Sequence, residues 1–202
     1  AAADIRAPEN LPPCDRSTMD GYAVISSDTF GASQSMPGYL NVRGEVLMGE
    51  VPGTSVVRGN CIKIPTGGIL PRGADAVMMF EHTVPIDDQM IEIVKDIGSG
   101  SNVIRKGDDI SVDDLALARY SPLRPQELGL LAGLGITEIS VFTKVKGGII
   151  STGDGIVECT QPRLPGKVRN INSITIGSAA QQHGAEVIDY GIVSDDEKTF
   201  FS

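Results

Sequence analysis

The feature that most constrains the fold of this chain is the shortness of its apolar runs between residues 40 and 93, which glycine, proline and aspartate repeatedly interrupt. The runs are alternating or β-branched, and they cover residues 40–42, 55–57, 61–64, 76–79 and 90–93. Runs of this length that are bounded by turn residues predict strands rather than helices. Their spacing predicts a small β-barrel or sandwich.

The composition favours several small β-rich units over a helical bundle. The 202 residues include 24 glycines and 12 prolines, whereas aromatic residues make up only 4% and tryptophan is absent. Many turns and short strands follow from that balance. The hydrophobic content of 41% is enough for a buried core, and the length allows more than one domain.

Charge, hydropathy and cysteine content argue against several classes of protein. A net charge of -9 argues against binding to nucleic acid, because that affinity comes from Lys and Arg side chains that neutralise phosphates. No apolar run approaches the roughly 18 residues that span a bilayer, so no membrane insertion is expected. Cys14, Cys61 and Cys159 are odd in number and widely spaced, which predicts reduced thiols in a cytoplasmic protein.

The hydrophobic period changes in the second half of the chain. Residues 125–134 carry apolar side chains at helical spacing before Gly135, which predicts a short amphipathic helix. Residues 147–150 and 187–193 have the character of strands, and they flank a predicted helix over residues 174–183. This β-α-β order predicts a parallel sheet.

Loops at the carboxyl ends of these two strands could carry chemistry, because open parallel sheets bind ligands there. Residues 151–154 offer two hydroxyls and a carboxylate, although an ordinary turn explains them equally well. The carboxylates of residues 195 and 196 could hold Mg²⁺ beside a phosphate. Complementation of the dipole at a helix start explains that pair better. Residues 194–197 also match a capping box at such a start. Residues 172 and 173 could seat a phosphate at the helix N-terminus, or could simply cap the helix.

Two other polar segments lie in the first half of the chain. Residues 15–22 combine charges, hydroxyls and a glycine before a strand, which is more polar variety than a tight turn requires. Residues 105–109 place two cations before two carboxylates, and a salt-bridged loop is the favoured interpretation over an oxyanion and metal site. His82 and His183 have no catalytic neighbours in sequence and indicate neither a triad nor a metal cluster.

The segment DRSTMDGYAV, residues 15–24, resembles the signature of the molybdopterin molybdotransferases, a family that includes the C-terminal domain of gephyrin. Further matches follow in the family's order, at residues 65–68, 71–77, 107–110, 133–136 and 151–154. The resemblance therefore covers essentially the whole chain.

The resemblance implies a mixed α and β, multidomain fold in an elongated homodimer. Residues 1–24 and 108–143 would form a β-rich dimerisation and linker region, and residues 25–107 an inserted small β-barrel-like domain. Residues 144–202 would form a partial three-layer α/β domain whose parallel sheet holds molybdopterin. The chain stops at Ser202, before the Gly-rich loop and the C-terminal barrel of the family, so we expect the α/β domain to be incomplete.

The resemblance also implies an activity. Members of the family insert molybdate into adenylylated molybdopterin and release AMP with the help of a divalent metal, expected here to be Mg²⁺. The implied catalytic residues, of which the first three would reach across the dimer, are Asp20, Thr66, Asp109, Asp154 and Asp195. The implied substrate-binding residues are Ser151, Thr152, Gly153, Asn172 and Ser173, and the implied metal ligands are Asp154 and Asp195.

Two positions depart from the family's pattern. Gly155 occupies the place of a glutamate that usually follows the Ser-Thr-Gly-Asp run, and its loss should impair catalysis or metal handling. Asn170, with Ile171 beside it, replaces an aspartate near the proposed phosphate seat. Three interpretations therefore remain open. The chain is an active molybdotransferase, a catalytically impaired dimeric scaffold or binding module of the same fold, or a fragment without a function of its own.

Overall fold

The computed structural model describes residues 1–162 and 165–195, and the chain divides into two compact units, residues 1–140 and residues 141–202. The predicted capping box over residues 194–197 extends to positions that lie outside the described residues. Among the residues that are described, neither α-helix has the length and apolarity needed to cross a membrane.

Short strands make up most of the regular structure of the first unit. Its strands are β1 (Ile5–Arg6), β2 (Arg16–Ser17), β3 (Gly21–Val24), β4 (Ser33–Glu45), β5 (Asn60–Ile64), β6 (Ala76–Met79), β7 (Thr83–Asp87), β8 (Met90–Lys95), β9 (Val103–Ile104) and β10 (Leu115–Leu117). It also contains helix α1 (Pro125–Gly133) and the 3₁₀ helices Ser26–Thr29 and Phe80–His82. The second unit contains β11 (Lys146–Thr152), β12 (Ile156–Val157), β13 (Val168–Arg169), α2 (Asn172–Gln182) and β14 (Glu186–Val193).

A six-stranded sheet of order β6-β3-β5-β4-β8-β7 forms the centre of the first unit. β4 and β5 pair in parallel, and the other neighbouring strands are antiparallel. Four of the five predicted strand segments lie in this sheet, so those predictions are confirmed. The sheet also includes β3, whose residues the resemblance assigned to the preceding region.

The fifth predicted strand, over residues 55–57, is wrong. This segment has no strand pairing, although Val56 is buried and its backbone N–H donates to the carbonyl of Arg72 at 2.8 Å. The hydrophobic pattern correctly indicated that Val56 is buried. A buried residue need not belong to a strand, because burial and strand pairing are separate properties.

Both faces of the six-stranded sheet carry buried side chains, which alternate between the faces along a strand. On β3, Tyr22 and Val24 join one core cluster, whereas Ala23 joins the other. The first cluster consists of Tyr22, Val24, Leu40, Cys61, Ala76, Met78, Ile91 and Ile93. The second consists of Ala23, Val46, Val56, Ile62, Ile64 and Val77.

Helix α1 confirms the amphipathic helix that was predicted over residues 125–134. It ends where the sequence indicated, because Gly135 has a φ of +69°, a left-handed conformation that favours glycine. The N–H of Gly135 donates to Ala132, and the N–H of Ile136 donates to Leu131. These two bonds form the hydrogen-bond pattern of a Schellman motif.

The second unit confirms the predicted β-α-β order and its parallel sheet. β11 and β14 pair in parallel from Lys146 opposite Glu186 to Thr152 opposite Val193. The helix between them, α2, packs against both strands and begins two residues before its predicted start. Gly177 allows this packing, since a Cβ there would lie 3.3 Å from Cδ1 of Ile149.

Candidate functional site

Asp20, which directly precedes β3, and Thr66 form a side-chain pair in the first unit. The backbone N–H of Thr66 donates to Oδ1 of Asp20 at 2.7 Å, and the Thr66 hydroxyl donates to the same oxygen at 3.0 Å. Both residues are exposed. Within the described part of the chain, Oδ2 of Asp20 has no hydrogen-bond partner and so remains available to a ligand.

Glycines on both sides of this pair explain why the sequence can place it there. A Cβ on Gly21 would lie 2.0 Å from the carbonyl oxygen of Met78, so only glycine permits β3 and β6 to approach as they do. Gly67 has a φ of +81°, and the N–H of Gly68 donates to the carbonyl of Pro65 at 2.9 Å. The resulting turn holds the N–H of Thr66 toward Asp20.

The two hydrogen bonds from Thr66 stabilise the charged form of Asp20. The backbone bond is the larger cause and the hydroxyl bond the smaller, and together they lower the pKa of this carboxyl below its ordinary value of 3.8. Asp20 is therefore a carboxylate at neutral pH, suited to accept a hydrogen bond or to contact a cation.

Asp109, the third residue of this predicted set, lies in a separate exposed loop of the first unit. Its backbone N–H donates to the carbonyl of Leu11 at 3.0 Å. The structure describes no hydrogen bond between Asp109 and either Asp20 or Thr66. The fold therefore joins Asp20 and Thr66 directly, and the role of Asp109 stays a prediction.

The loop over residues 105–109 does form charged contacts, but its main partner lies outside the loop. Nη1 of Arg105 is 3.7 Å from Oδ2 of Asp15, and the backbone N–H of Lys106 donates to Oδ1 of Asp15 at 2.8 Å. Within the loop, the N–H of Arg105 donates to Asp108 at 2.7 Å. These contacts tie the loop to the segment that leads to Asp20.

A cleft of about 250 Å³ opens at the carboxyl end of β11 in the second unit. It is lined by Ile149, Ile150, Ser151, Thr152, Ile156, Asn170, Asn172, Ser173 and Ile176. Four of the five predicted substrate-binding residues are among them. Among the described residues, no charged side chain lines this cleft, which combines isoleucine side chains with hydroxyls and amides.

Asn170 is the residue that joins the two sides of the cleft, and it is buried. Its Oδ1 accepts a hydrogen bond from the hydroxyl of Ser151 at 3.0 Å and another from the backbone N–H of Ser173 at 3.3 Å. Its backbone carbonyl accepts from Sγ of Cys159 at 3.0 Å.

Asn170 therefore supplies a side-chain cap to helix α2, whereas Ile171, which directly precedes the helix, makes no side-chain capping bond. Capping is one of the two roles that the sequence leaves open for Asn172 and Ser173. A side-chain oxygen that accepts from the N–H three residues later is the usual N-cap arrangement. Asn172 and Ser173 lie in the first helical turn instead. The sequence signal that could have located the cap is an asparagine, a preferred capping residue, at position 170, three residues before Ser173.

The fifth predicted substrate-binding residue, Gly153, leads into the loop that carries Asp154. Its φ of +141° is a conformation that L side chains rarely adopt. Nζ of Lys167 donates to the backbone carbonyl of Asp154. Lys167 thus holds the loop from outside the cleft.

Asp154 and Asp195 lie together at the carboxyl ends of the parallel strands β11 and β14. The backbone N–H of Asp154 donates to Oδ2 of Asp195, and the N–H of Asp195 donates to Oδ1 of Asp154, both at 3.4 Å. Both side chains are exposed, and 41 residues of sequence separate them. The parallel pairing of the two strands brings them together.

Two carboxylates with this arrangement fit Mg²⁺ as part of a site rather than as a whole one. Within residues 1–162 and 165–195, no group of three or more His, Cys, Asp or Glu side chains could hold a metal ion. Mg²⁺ is usually bound by one or two carboxylates together with waters and substrate phosphates. Asp154 and Asp195 meet that requirement only in the company of a phosphate ligand.

Two family models match the chain. Residues 1–135 match the model described as "MoeA N-terminal region (domain I and II)", and residues 148–201 match the one described as "Probable molybdopterin binding domain". The cleft and the Asp154–Asp195 pair lie in the second matched region, and the Asp20–Thr66 pair lies in the first.

Individual relatives are similar to the chain over almost its full length. A protein of Methanocaldococcus jannaschii named for molybdopterin biosynthesis is 37% identical over 98% of this chain and 49% of its own length. A molybdopterin molybdenumtransferase of Haemophilus influenzae is 37% identical over 98% of this chain and 48% of its own.

A crystal structure of the molybdopterin biosynthesis MoeA protein of Pyrococcus horikoshii superimposes with a TM-score of 0.90 at 35% identity, over 98% of this chain and 52% of that one. The chain thus spans about half the length of the relatives that it matches. From the family model that covers residues 1–135 and from these similarities, we conclude that the chain belongs to the MoeA family of molybdopterin biosynthesis proteins.

Proposed function

We propose that this chain functions in molybdenum cofactor biosynthesis as a molybdopterin molybdotransferase, which inserts molybdate into adenylylated molybdopterin and releases AMP. The observation that carries the proposal is the cleft at the carboxyl end of β11. Asp154 and Asp195 lie at the carboxyl ends of β11 and its parallel partner β14. Ligands of open parallel sheets bind at that position. The relatives named as molybdopterin molybdenumtransferases support molybdopterin chemistry as the choice of substrate class. A cytoplasmic location is part of the same proposal.

In this proposal the uncharged cleft binds the pterin. The isoleucine side chains contact its ring, and the hydroxyls of Ser151 and Thr152 with the amide of Asn172 bind its polar edge. The N-terminus of α2 adds backbone N–H groups and a positive dipole end, which favour a phosphate nearby. Binding and orientation would then supply most of the rate enhancement.

Asp154 and Asp195 would hold Mg²⁺ against the phosphates of the substrate. The ion, when bound, supplies positive charge that neutralises the phosphate oxygens as AMP leaves. The chain's own contribution is to keep the two carboxylates together, which the mutual backbone hydrogen bonds accomplish.

Asp20, Thr66 and Asp109 would complete the active centre. We propose that the chain acts as a homodimer in which these residues serve the substrate bound by the other protomer. The ionised state of Asp20 and its available Oδ2 suit it to orient a polar group of that substrate.

The direct test measures conversion of adenylylated molybdopterin, molybdate and Mg²⁺ to AMP and molybdenum cofactor. The 202-residue chain is compared with a version extended to the length of its relatives, and each is also assayed with Asp154→Asn and with Asp189→Asn. Asp189 is the matched control, because it is an exposed aspartate on β14 whose carboxylate accepts from the nearby Gly191 N–H. Activity in either version that Asp154→Asn abolishes and Asp189→Asn leaves intact supports the proposal. Absence of AMP release from both versions contradicts it.

A second candidate is a dimeric scaffold that binds the pterin without turnover, and Gly155 favours it. Gly155 is exposed, and a Cβ built on it meets no atom within 4 Å. The Cβ of a glutamate therefore has open space at this position. Gly155→Glu tests whether the missing carboxylate limits activity. We expect Gly155→Glu to raise the rate of AMP release while Gly53→Glu, at another open glycine, does not. Pterin binding without turnover in both variants favours the scaffold.

A further inference from the structure

We propose that Ser17 is a positioning residue that fixes the segment leading to Asp20 and so orients the Asp20 carboxylate toward Thr66. The assignment rests on the proposed role of Asp20 in catalysis. Ser17 is 2% exposed, although Thr18 and Asp20 on the same segment are exposed. A serine this deeply buried must find hydrogen-bond partners for its hydroxyl inside the protein.

The side chain of Ser17 closes a small turn immediately before Asp20. Its hydroxyl donates to the backbone carbonyl of Met19 and accepts from the backbone N–H of Met19 at 3.2 Å. Both backbone polar groups of Met19 are thereby bound to one oxygen atom. The direction in which the chain enters Asp20 is consequently set by the Ser17 hydroxyl.

The backbone of Ser17 ties the same turn to the segment that carries Thr66. Its N–H donates to the carbonyl of Gly68 at 2.9 Å, and its carbonyl accepts from the N–H of Gly67 at 2.8 Å. Thr66 precedes these glycines directly. Ser17 is therefore bonded through its side chain to Met19, which directly precedes Asp20, and through its main chain to the two glycines that follow Thr66.

The two donors of Thr66 converge on Oδ1 at 2.7 and 3.0 Å, so a small rotation of the Asp20 backbone would lengthen both bonds together. Loss of the Ser17 hydroxyl should therefore weaken the Asp20–Thr66 pair even though Ser17 does not touch it.

The test uses Ser17→Ala in the full chain, with Ser26→Ala as the matched control. Ser26 is also a buried serine of the first unit, at 5% exposure, but its hydroxyl donates to Asp75 and not to the segment before Asp20. The readouts are the pKa of Asp20 by carboxyl-carbon NMR titration and the amide chemical shift of Thr66. Neither requires substrate, so they report on Ser17 even if the proposed activity is absent.

We expect Ser17→Ala to raise the pKa of Asp20 toward its ordinary value and to shift the Thr66 amide, while Ser26→Ala changes neither. If the extended enzyme is active, kcat should fall roughly 10- to 100-fold with little change in KM, because misplacement of a catalytic group acts on the chemical step.

Ser17→Thr, which keeps the hydroxyl, should restore both readouts. Should Ser17→Ala not fold, Ser17→Cys takes its place. An Asp20 pKa and a Thr66 amide shift equal to those of the wild type would overturn the proposal.

Discussion

At the scale of single residues, two hydrogen bonds from Thr66 stabilise the charged form of the Asp20 carboxylate. Thr66 supplies both of its donors, and no cation contributes to the lowered pKa. Because the folded-state pKa lies below the ordinary value of 3.8, ionised Asp20 stabilises the fold above that pH. The contribution is lost as the pH falls through the folded-state pKa.

Thr66→Val should raise the pKa of Asp20 only partly, since it removes the hydroxyl and retains the backbone N–H, the larger of the two causes. Thr66→Ser keeps both donors and should leave the pKa at the wild-type value. NMR titration of the carboxyl carbon measures the shift. An unchanged pKa in Thr66→Val would mean that the hydroxyl bond is unimportant in solution.

The three cysteines should differ in reactivity. Burial raises the pKa of the Cys61 thiol to about 12, whereas Cys14 and Cys159 are partly exposed and all three are free thiols. The thiolate is the reactive species, so Cys61 should resist a thiol reagent in the folded protein. We expect two rapidly titrated thiols with Ellman's reagent at pH 8 and a third after unfolding. Three rapid thiols would contradict the burial of Cys61.

At the scale of secondary structure, helix α2 depends on a residue that lies outside its regular turns. Asn170 caps its N-terminus and holds the hydroxyl of Ser151 on the end of β11. This one amide therefore couples the helix to the strand on the other side of the cleft.

Asn170→Ala should destabilise the chain by about 1–2 kcal/mol, because it removes a cap and leaves the Ser151 hydroxyl without its acceptor. Asn172→Ala is the control, since Asn172 is exposed in the first turn of the same helix. Urea unfolding followed by circular dichroism gives both free energies of unfolding. Equal values for the two variants would remove the capping role from Asn170.

At the scale of the whole molecule, the two units differ in how they are stabilised. Every buried hydrophobic side chain of the described residues lies between Ala7 and Leu134, in the first unit. The buried side chains of the second unit are the polar Ser151, Asn170 and Ser173, whereas Ile150 and Ile176 are 50% and 58% exposed. Full burial of one such side chain contributes about 1.5–3 kcal/mol, so the second unit gains less stability from apolar burial than the first.

The second unit should consequently open more readily than the first in the ligand-free chain. Hydrogen exchange followed by mass spectrometry should give faster exchange in β11, α2 and β14 than in β3 and β5. Addition of molybdopterin should slow exchange in the second unit. Equal protection of the two units without ligand would count against this interpretation.

The proposed homodimer gives a prediction at the same scale. Light scattering after gel filtration should give a mass of twice the 21.3 kDa of one chain. Mixing Asp20→Asn with Asp154→Asn protomers of the extended version should then restore part of the activity that each variant lacks alone. A monomeric mass would exclude a centre that two protomers share.

The sequence by itself determined the positions of four strands of the central sheet, the β-α-β order of the second unit and the glycine that ends α1. These features depend on neighbouring residues, whose spacing directly reflects backbone geometry. The signature at residues 15–24 also indicated the family.

Only the tertiary structure decided which distant groups meet. It paired Asp20 with Thr66 across 46 residues, placed Asp109 in another loop, and gave the capping of α2 to Asn170. It also left residues 55–57 without a strand partner although Val56 is buried. Such contacts depend on strand register and on turns far apart in the chain, and local sequence periodicity contains neither.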